Sequence, residues 1–198
     1  MDSTRKDILT INQKGWDIVA PQFYGGTALP QYGPLSATES ELQLIDNLHG
    51  KSVLELGCGS GHTLYYLWKD KQASELWGLD LSHAQLQFTR ALLAQENIPA
   101  KLFLASMDEN PGIPESYFDL VISIYALGWT PDISRTLSLI HSYLKPGGKF
   151  IFSWEKTNIT RLTTMSFLGR IGFFTLSTVE KQGTIILITF WTITFRLK

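Results

Sequence analysis

The sequence predicts an α/β protein built on a doubly wound, mostly parallel sheet. Three observations carry that reading. Short apolar runs alternate with helical stripes along most of the chain. The first run, Val53-Leu54-Glu55-Leu56, opens straight into glycines at every second position, and the second ends on a lone carboxylate, Asp80. Strands separated by helices favour a parallel sheet with right-handed crossovers. A glycine-rich turn between a strand and a helix is where nucleotide-like ligands sit in such sheets.

Each element follows from local signals. Ser36-Ala37-Thr38-Glu39 is a capped helix start, Leu42, Leu44, Ile45 and Leu48 give it an apolar face, and His49-Gly50 closes it. The first buried strand covers 51–56, a helix 64–70, and the second strand 75–80. Ser82 caps a helix carrying Leu86, Phe88, Leu92 and Leu93 that ends near Asn97. The third strand covers 101–105 and the fourth 118–124. A helix over 133–144 places Leu137, Ile140 and Leu144 on one stripe, and Lys145-Pro146-Gly147-Gly148 turns the chain into a fifth strand over 149–154.

Composition bounds the possibilities. With 198 residues, 44% hydrophobic and 18% charged, the chain suffices for one domain over 1–198. We divide it into an arm (1–35), a ligand-binding core (36–155) and a tail (156–198). A net charge of −1 and no basic run longer than two residues leave no electrostatic footprint for nucleic acid. The one cysteine, Cys58, excludes an internal disulfide and fits a reducing cytoplasm. Residues 1–14 lack the apolar core of a signal peptide, and the apolar stretch 184–195 is too short to span a bilayer. His49, His62, His83 and His141 show no metal-ligand spacing, so no metal is expected.

The glycine loop, Gly57-Cys58-Gly59-Ser60-Gly61-His62, selects among nucleotide ligands. A dinucleotide fingerprint needs glycine where His62 stands. Glu55 sets a negative charge against the loop, which repels a pyrophosphate and suits a cationic, adenosine-containing cofactor. Asp80 can accept two bonds from vicinal ribose hydroxyls, or cap the following helix, a role Ser82 can also fill.

These residues resemble the class I S-adenosylmethionine-dependent methyltransferases, whose first motif, E/D-x-G-x-G-x-G, matches Glu55, Gly57, Gly59 and Gly61. Asp80, the string Phe118-Asp119-Leu120-Val121-Ile122-Ser123 and the string Leu144-Lys145-Pro146-Gly147-Gly148-Lys149 match later signatures in the same order. The resemblance implies a Rossmann-like sheet of seven strands with a C-terminal antiparallel hairpin. It implies S-adenosylmethionine as cofactor, with the loop, Cys58 included, around its methionine part and Glu55 near its amino group. Asp80 then meets the ribose, Leu81 the adenine face, and Ile124 ends the fourth strand beside the cofactor. At the usual adenine-binding acid this chain has Ser106, leaving the contact to Ser106, the Met107 amide, or Asp108 after a two-residue shift.

The acceptor end is read from aromatics. Tyr125 and Trp129, after the fourth strand, suit a small, largely apolar acceptor or a sulfonium, or are packing residues. By resemblance, residues 16–26 are a lid with Tyr24 closing over the methionine end, or else a surface arm. Glu155, at the end of the fifth strand, is a candidate acceptor contact or a solvated strand end. The tail is expected to hold a short helix near 165–169 and hairpin strands over 172–179 and 184–195. It is short for the family, which suggests pairing with a second copy. The expected function is methyl transfer to a small molecule. The alternatives are a non-catalytic cofactor-binding or scaffold protein of the same fold and, more distantly, a nicotinamide dehydrogenase.

Overall fold

The computed structural model describes residues 3–34, 36–154, 177–181, 184–188 and 191–194. A helix, α1 (Ser3–Val19), precedes one turn of helix, α2 (Glu39–Leu42). Then follow β1 (Ser52–Leu56), α3 (His62–Lys69), β2 (Glu75–Asp80), α4 (His83–Gln95), β3 (Lys101–Leu104) and β4 (Phe118–Ile124). A 3₁₀ turn at Leu127–Trp129 leads to α5 (Ile133–Tyr143) and β5 (Leu144–Ser153). The tail holds β6 (Ser177–Lys181), β7 (Thr184–Ile188) and β8 (Trp191–Thr194). Among the described residues no helix is long and apolar enough to cross a membrane.

The main sheet runs β3-β2-β1-β4-β5-β8. Its first five strands are parallel and β8 is antiparallel to β5. All five residues of β1 are buried, as a strand covered on both faces must be. Val53 and Leu54 project to opposite faces. Val53 packs with Leu64 and Leu67 of α3 and Leu86 of α4, whereas Leu54 packs with Leu137 and Ile140 of α5.

Two sequence expectations for the sheet change, and a third lies outside the described residues. The sheet has six strands among the described residues, not seven. Where one hairpin strand is expected over 184–195 there are two, β7 and β8; among the described residues β8 joins the main sheet and β7 pairs with β6. Alternation holds only in Trp191-Thr192-Ile193-Thr194-Phe195 and is absent from the Ile185-Ile186-Leu187-Ile188 run, so the pattern does not carry one continuous register through the segment. The short helix expected near 165–169 lies outside the described residues.

The fifth strand begins earlier than its turn signal suggests. Leu144 already pairs with Phe118, and the register shifts before Lys149 pairs with Leu120.

The helix expected over 36–48 stops after Leu42. Gln43 turns left-handed, with φ 51°, and the Glu39 carboxylate, 1% exposed, captures the next backbone donors. It accepts the N–H of Leu44 at 3.1 Å and of Ile45 at 2.9 Å, amides that a continuing helix would give to its own carbonyls. Lys71 Nζ at 2.7 Å and the Tyr32 hydroxyl at 2.5 Å complete the set. Removing the carboxylate strands an ammonium, a hydroxyl and two amides. Glu39→Ala is therefore expected to cost about 3–5 kcal/mol in urea unfolding, and a loss below about 1 kcal/mol would contradict this account.

Candidate functional site

The strand order reverses between β1 and β4, leaving a crevice at their carboxyl ends. The loop after β1 forms one wall. Gly57, Gly59 and Gly61 all have positive φ, at 73°, 50° and 85°, yet they serve different ends. A Cβ on Gly57 would lie 2.3 Å from Ala126 Cβ, so glycine there lets the loops after β1 and β4 touch. A Cβ on Gly61 would meet Thr89 Cγ2 at 2.8 Å and Thr89 Cα at 3.1 Å, so this glycine seats α3 against α4. Gly61 does not line the cavity, and its place in the motif is explained by packing. Beside Gly59 the nearest atom to a Cβ is Gln85 Oε1 at 3.9 Å, so that face is open.

The cavity, with its open mouth included, encloses about 830 Å³. Glu55 lies on its floor, 2% exposed, with Oε2 lacking a hydrogen-bond partner. Gln85 Oε1, on the first turn of α4, is a second buried acceptor without a donor on the same cavity. Burial pushes the Glu55 carboxyl up to about 8, the Asp80 charge adds to this, and a hydrogen bond from Thr63 opposes it. Asp80 is raised to about 6 by burial and by Asp17, against the pull of the Ser82, Gly59 and Leu81 amides. Its Oδ2 accepts the Gly59 N–H and its Oδ1 the Ser82 N–H, both at 2.8 Å. Two carboxylates held in reluctantly ionised states make a floor that favours a cation.

Leu81, Ala105, Ser106 and Met107 line the far end, and Cys58 and Ile124 lie between the walls. Asp108 does not reach the cavity. It is fully buried, accepts the Ser106 hydroxyl, and is gripped by Arg5 Nε and Nη2 at 2.9 Å each. Burial alone would raise its pKa, but the bonds from Arg5 and Ser106 outweigh it and hold Asp108 below the usual carboxylate range. The option of Asp108 replacing Ser106 at the ring is therefore closed.

The arm roofs the crevice. Asn12 and Trp16 of α1, with Phe23, Gly25 and Thr27 of the loop after it, line the cavity. The Gly25 N–H donates to Ser60 Oγ at 3.1 Å, and Ser60 Oγ pairs with His62 Nδ1 at 3.0 Å. Burial lowers the His62 pKa. Tyr24 does not line the cavity. Its ring stands edge-on to His62 at 4.6 Å and to Phe88 at 5.4 Å, and its neighbour Phe23 occupies the lining. Within the segment expected to act as a lid, Phe23 and not Tyr24 is the aromatic near Gly25 that lines the cavity. A left-handed turn at Gly25, φ 71°, clamped by Ser60, decides that and has no local periodicity to announce it.

Tyr125 and Trp129 both line the mouth, where Trp16 meets Trp129 at 5.4 Å and Phe23 at 5.5 Å. Trp154 touches Tyr125 at 5.3 Å and Trp129 at 6.0 Å. Tyr125 holds φ 54°, a strained value for a bulky residue, pinned by its N–H bonds to Ser153 O and Oγ at 3.1 Å each. Asn12, Trp16, Phe23 and Gln85 went unpredicted; their only sequence signal is the aromatic density around Trp16 and the first-turn position of Gln85. Glu155 lies outside the described residues.

Comparison with known proteins agrees with this geometry. Residues 53–148 match the family described as a methyltransferase domain. A phthiotriol/phenolphthiotriol dimycocerosates methyltransferase of Mycobacterium ulcerans is 31% identical over 106 residues, 54% of this chain and 38% of that protein. The human mitochondrial arginine-hydroxylase NDUFAF5 is 36% identical over 99 residues, 50% of this chain and 27% of that protein. The structure of an S-adenosylmethionine-dependent methyltransferase from Mesorhizobium loti superposes with a TM-score of 0.51 at 32% identity, covering 59% of this chain and 51% of that one. The chain spans less than half the length of these curated relatives. The matched segment and the Mesorhizobium loti structure support a class I S-adenosylmethionine-dependent methyltransferase core, with S-adenosylmethionine as the cofactor that such a core implies.

Two outcomes follow from the site. Gly61→Ala should cost about 2–4 kcal/mol through a clash added to a left-handed backbone, and Gly59→Ala only about 1–2 kcal/mol, in denaturant unfolding; equal losses would refute the separate roles. Glu55 binds its proton up to about pH 8 in the fold, against an ordinary value of 4.5. The folded state therefore holds the extra proton, and stability of the ligand-free protein falls as pH rises through that window. Glu55→Gln should flatten this fall and raise the ligand-free melting temperature at pH 8.

Proposed function

We propose that this domain transfers a methyl group from S-adenosylmethionine to a small, largely apolar acceptor. The single observation that carries the reading is the buried Glu55 carboxylate, with one unpartnered oxygen beside the open face of Gly59. A site that buries an acid without a partner is completed by a cationic group, and the cofactor's amino-acid end carries an ammonium.

The residues present fit the cofactor along its length. Glu55 and Gln85 receive the amino group, while Gly57, Cys58 and Gly59 shape the loop around the amino-acid part. Asp80 Oδ2 takes the Gly59 amide and Oδ1 the Ser82 amide, and the carboxylate's remaining acceptor capacity is offered to the ribose hydroxyls. Leu81, Ser106 and Met107 flank the adenine, and Ile124 packs between the walls. Bound there, the cofactor supplies a sulfonium-activated methyl group. The protein's work is then alignment and exclusion of water.

Trp16, Phe23, Tyr125 and Trp129 form the acceptor end and favour an apolar molecule or one with a soft, polarisable nucleophile. Their faces also suit the cofactor's own sulfonium by cation–π attraction. Glu155, next in sequence to Trp154, whose ring touches Tyr125 and Trp129, would be tested as a base. The lone, buried Cys58 suits a reducing compartment, and the cytoplasm is the location this reading takes.

Calorimetric titration with S-adenosylmethionine and S-adenosylhomocysteine tests the reading. Binding in the micromolar range is expected, lost at least about 100-fold in Asp80→Ala because two ribose bonds go together. Affinity should rise from pH 6 to 8 as Glu55 ionises, with protons released on binding and a heat that depends on the buffer. A well-folded sample that binds neither ligand would refute the proposal. Binding without transfer to any acceptor in a screen of apolar thiols, amines and phenols would favour a cofactor-binding scaffold instead.

A further inference from the structure

Ser106 stands where an acid would be the simplest acceptor for the ring amino group of adenine. A serine hydroxyl is ambiguous, because it can donate or accept. In this structure the ambiguity is removed from outside the cavity. The Ser106 hydroxyl donates to Asp108, a fully buried carboxylate. An ionised carboxylate can only accept, so the Ser106 proton must point to it and the oxygen lone pairs face the other way.

Asp108 in turn is kept ionised by Arg5. The guanidinium makes two bonds to it, Nε to Oδ2 and Nη2 to Oδ1, both at 2.9 Å, and a third to Glu109 at 2.9 Å. This is the fork geometry in which arginine fixes a carboxylate most firmly. Arg5 lies on α1, which the opposite end of the adenosine pocket also holds. Asp17 Oδ1 accepts the Ser82 hydroxyl at 2.6 Å and the Ala84 N–H at 3.0 Å. Midway, Asn12 Nδ2 donates to Trp129 O at 3.0 Å. The arginine is thus delivered by a helix anchored along its length.

We infer that Arg5 is a specificity-determining positioning residue, acting through Asp108 and Ser106 to present a hydrogen-bond acceptor to a 6-aminopurine and to disfavour a 6-oxopurine. The inference rests on Ser106 being the adenine contact. Without the arginine, Asp108 is a buried, unpaired carboxylate that protonates or pulls away. A protonated Asp108 can donate to Ser106, whose hydroxyl then turns its proton to the cavity. The preferred ring edge reverses from donor to acceptor.

The experiment titrates the full chain with S-adenosylhomocysteine and S-inosylhomocysteine, which differ in that ring edge. The wild-type chain should prefer the adenosine ligand about tenfold or more, the worth of one matched hydrogen bond against a mismatched one. Arg5→Ala and Ser106→Ala should bring the ratio close to one, and Arg5→Lys, which keeps the charge but loses the fork, should restore part of it. Arg5 is 21% exposed and its loss leaves a buried carboxylate unpaired, so a thermal melt on each variant checks folding. An unchanged ratio in a folded Arg5→Ala chain overturns the inference, whatever happens to overall affinity or melting temperature. If Asp80→Ala abolishes both affinities while Arg5→Ala keeps the ratio, only this inference falls. If the wild-type chain binds neither ligand, the cofactor reading falls with it.

Discussion

The carboxyl end of the sheet depends on how closely the loops after β1 and β4 approach one another. Gly57 and Ala126 meet there with no room for a further carbon, and that contact sets the width of the crevice. Glu55 is left beneath it only 2% exposed, and Tyr125 is carried into a strained turn beyond it. A wider crevice would hydrate Glu55 and relieve the need for a cation. A narrower one would leave no cavity. The binding chemistry is thus a result of backbone packing at the point where the strand order reverses.

Three aspartates and glutamates near this crevice behave in opposite ways for one reason. Glu55 and Asp80 are buried with too little positive charge nearby, so their proton affinities rise. Asp108 is equally buried but grips a guanidinium, and its affinity falls. Burial penalises the charge in each case, and the partner decides the sign. The protein brings its own cation to Asp108 and leaves Glu55 to be completed by a ligand.

How much was legible in the sequence follows the range of the interactions. Strands β1, β2 and β4, the glycine loop and the carboxylate ending β2 were legible because periodicity and backbone conformation are local. Ser82 capping α4 was legible for the same reason. The early end of α2 was not, since Glu39 is satisfied by Tyr32, Lys71 and two amides beyond the helix, a set assembled only in the fold. Asp108 looked free in sequence because its partner, Arg5, lies on the first helix. The packing duty of Gly61 depends on Thr89, a neighbour in space alone. Among the described residues, the six-stranded sheet and the separate β6–β7 pair differ from the family expectation because which edge β7 and β8 join is set by pairing with distant strands, not by the local pattern of 184–195.

The arm bonds to a loop after each of the first four strands, through Ser60, Ser82, Asp108 and Trp129. One consequence is optical. Trp16 belongs to the roof and Trp129 to the wall, and their rings touch at 5.4 Å only while the roof is seated. Lifting α1 would carry one indole into water and strip the other of its neighbour. The chain therefore contains its own gauge of opening and closing, readable in its emission spectrum without any added dye.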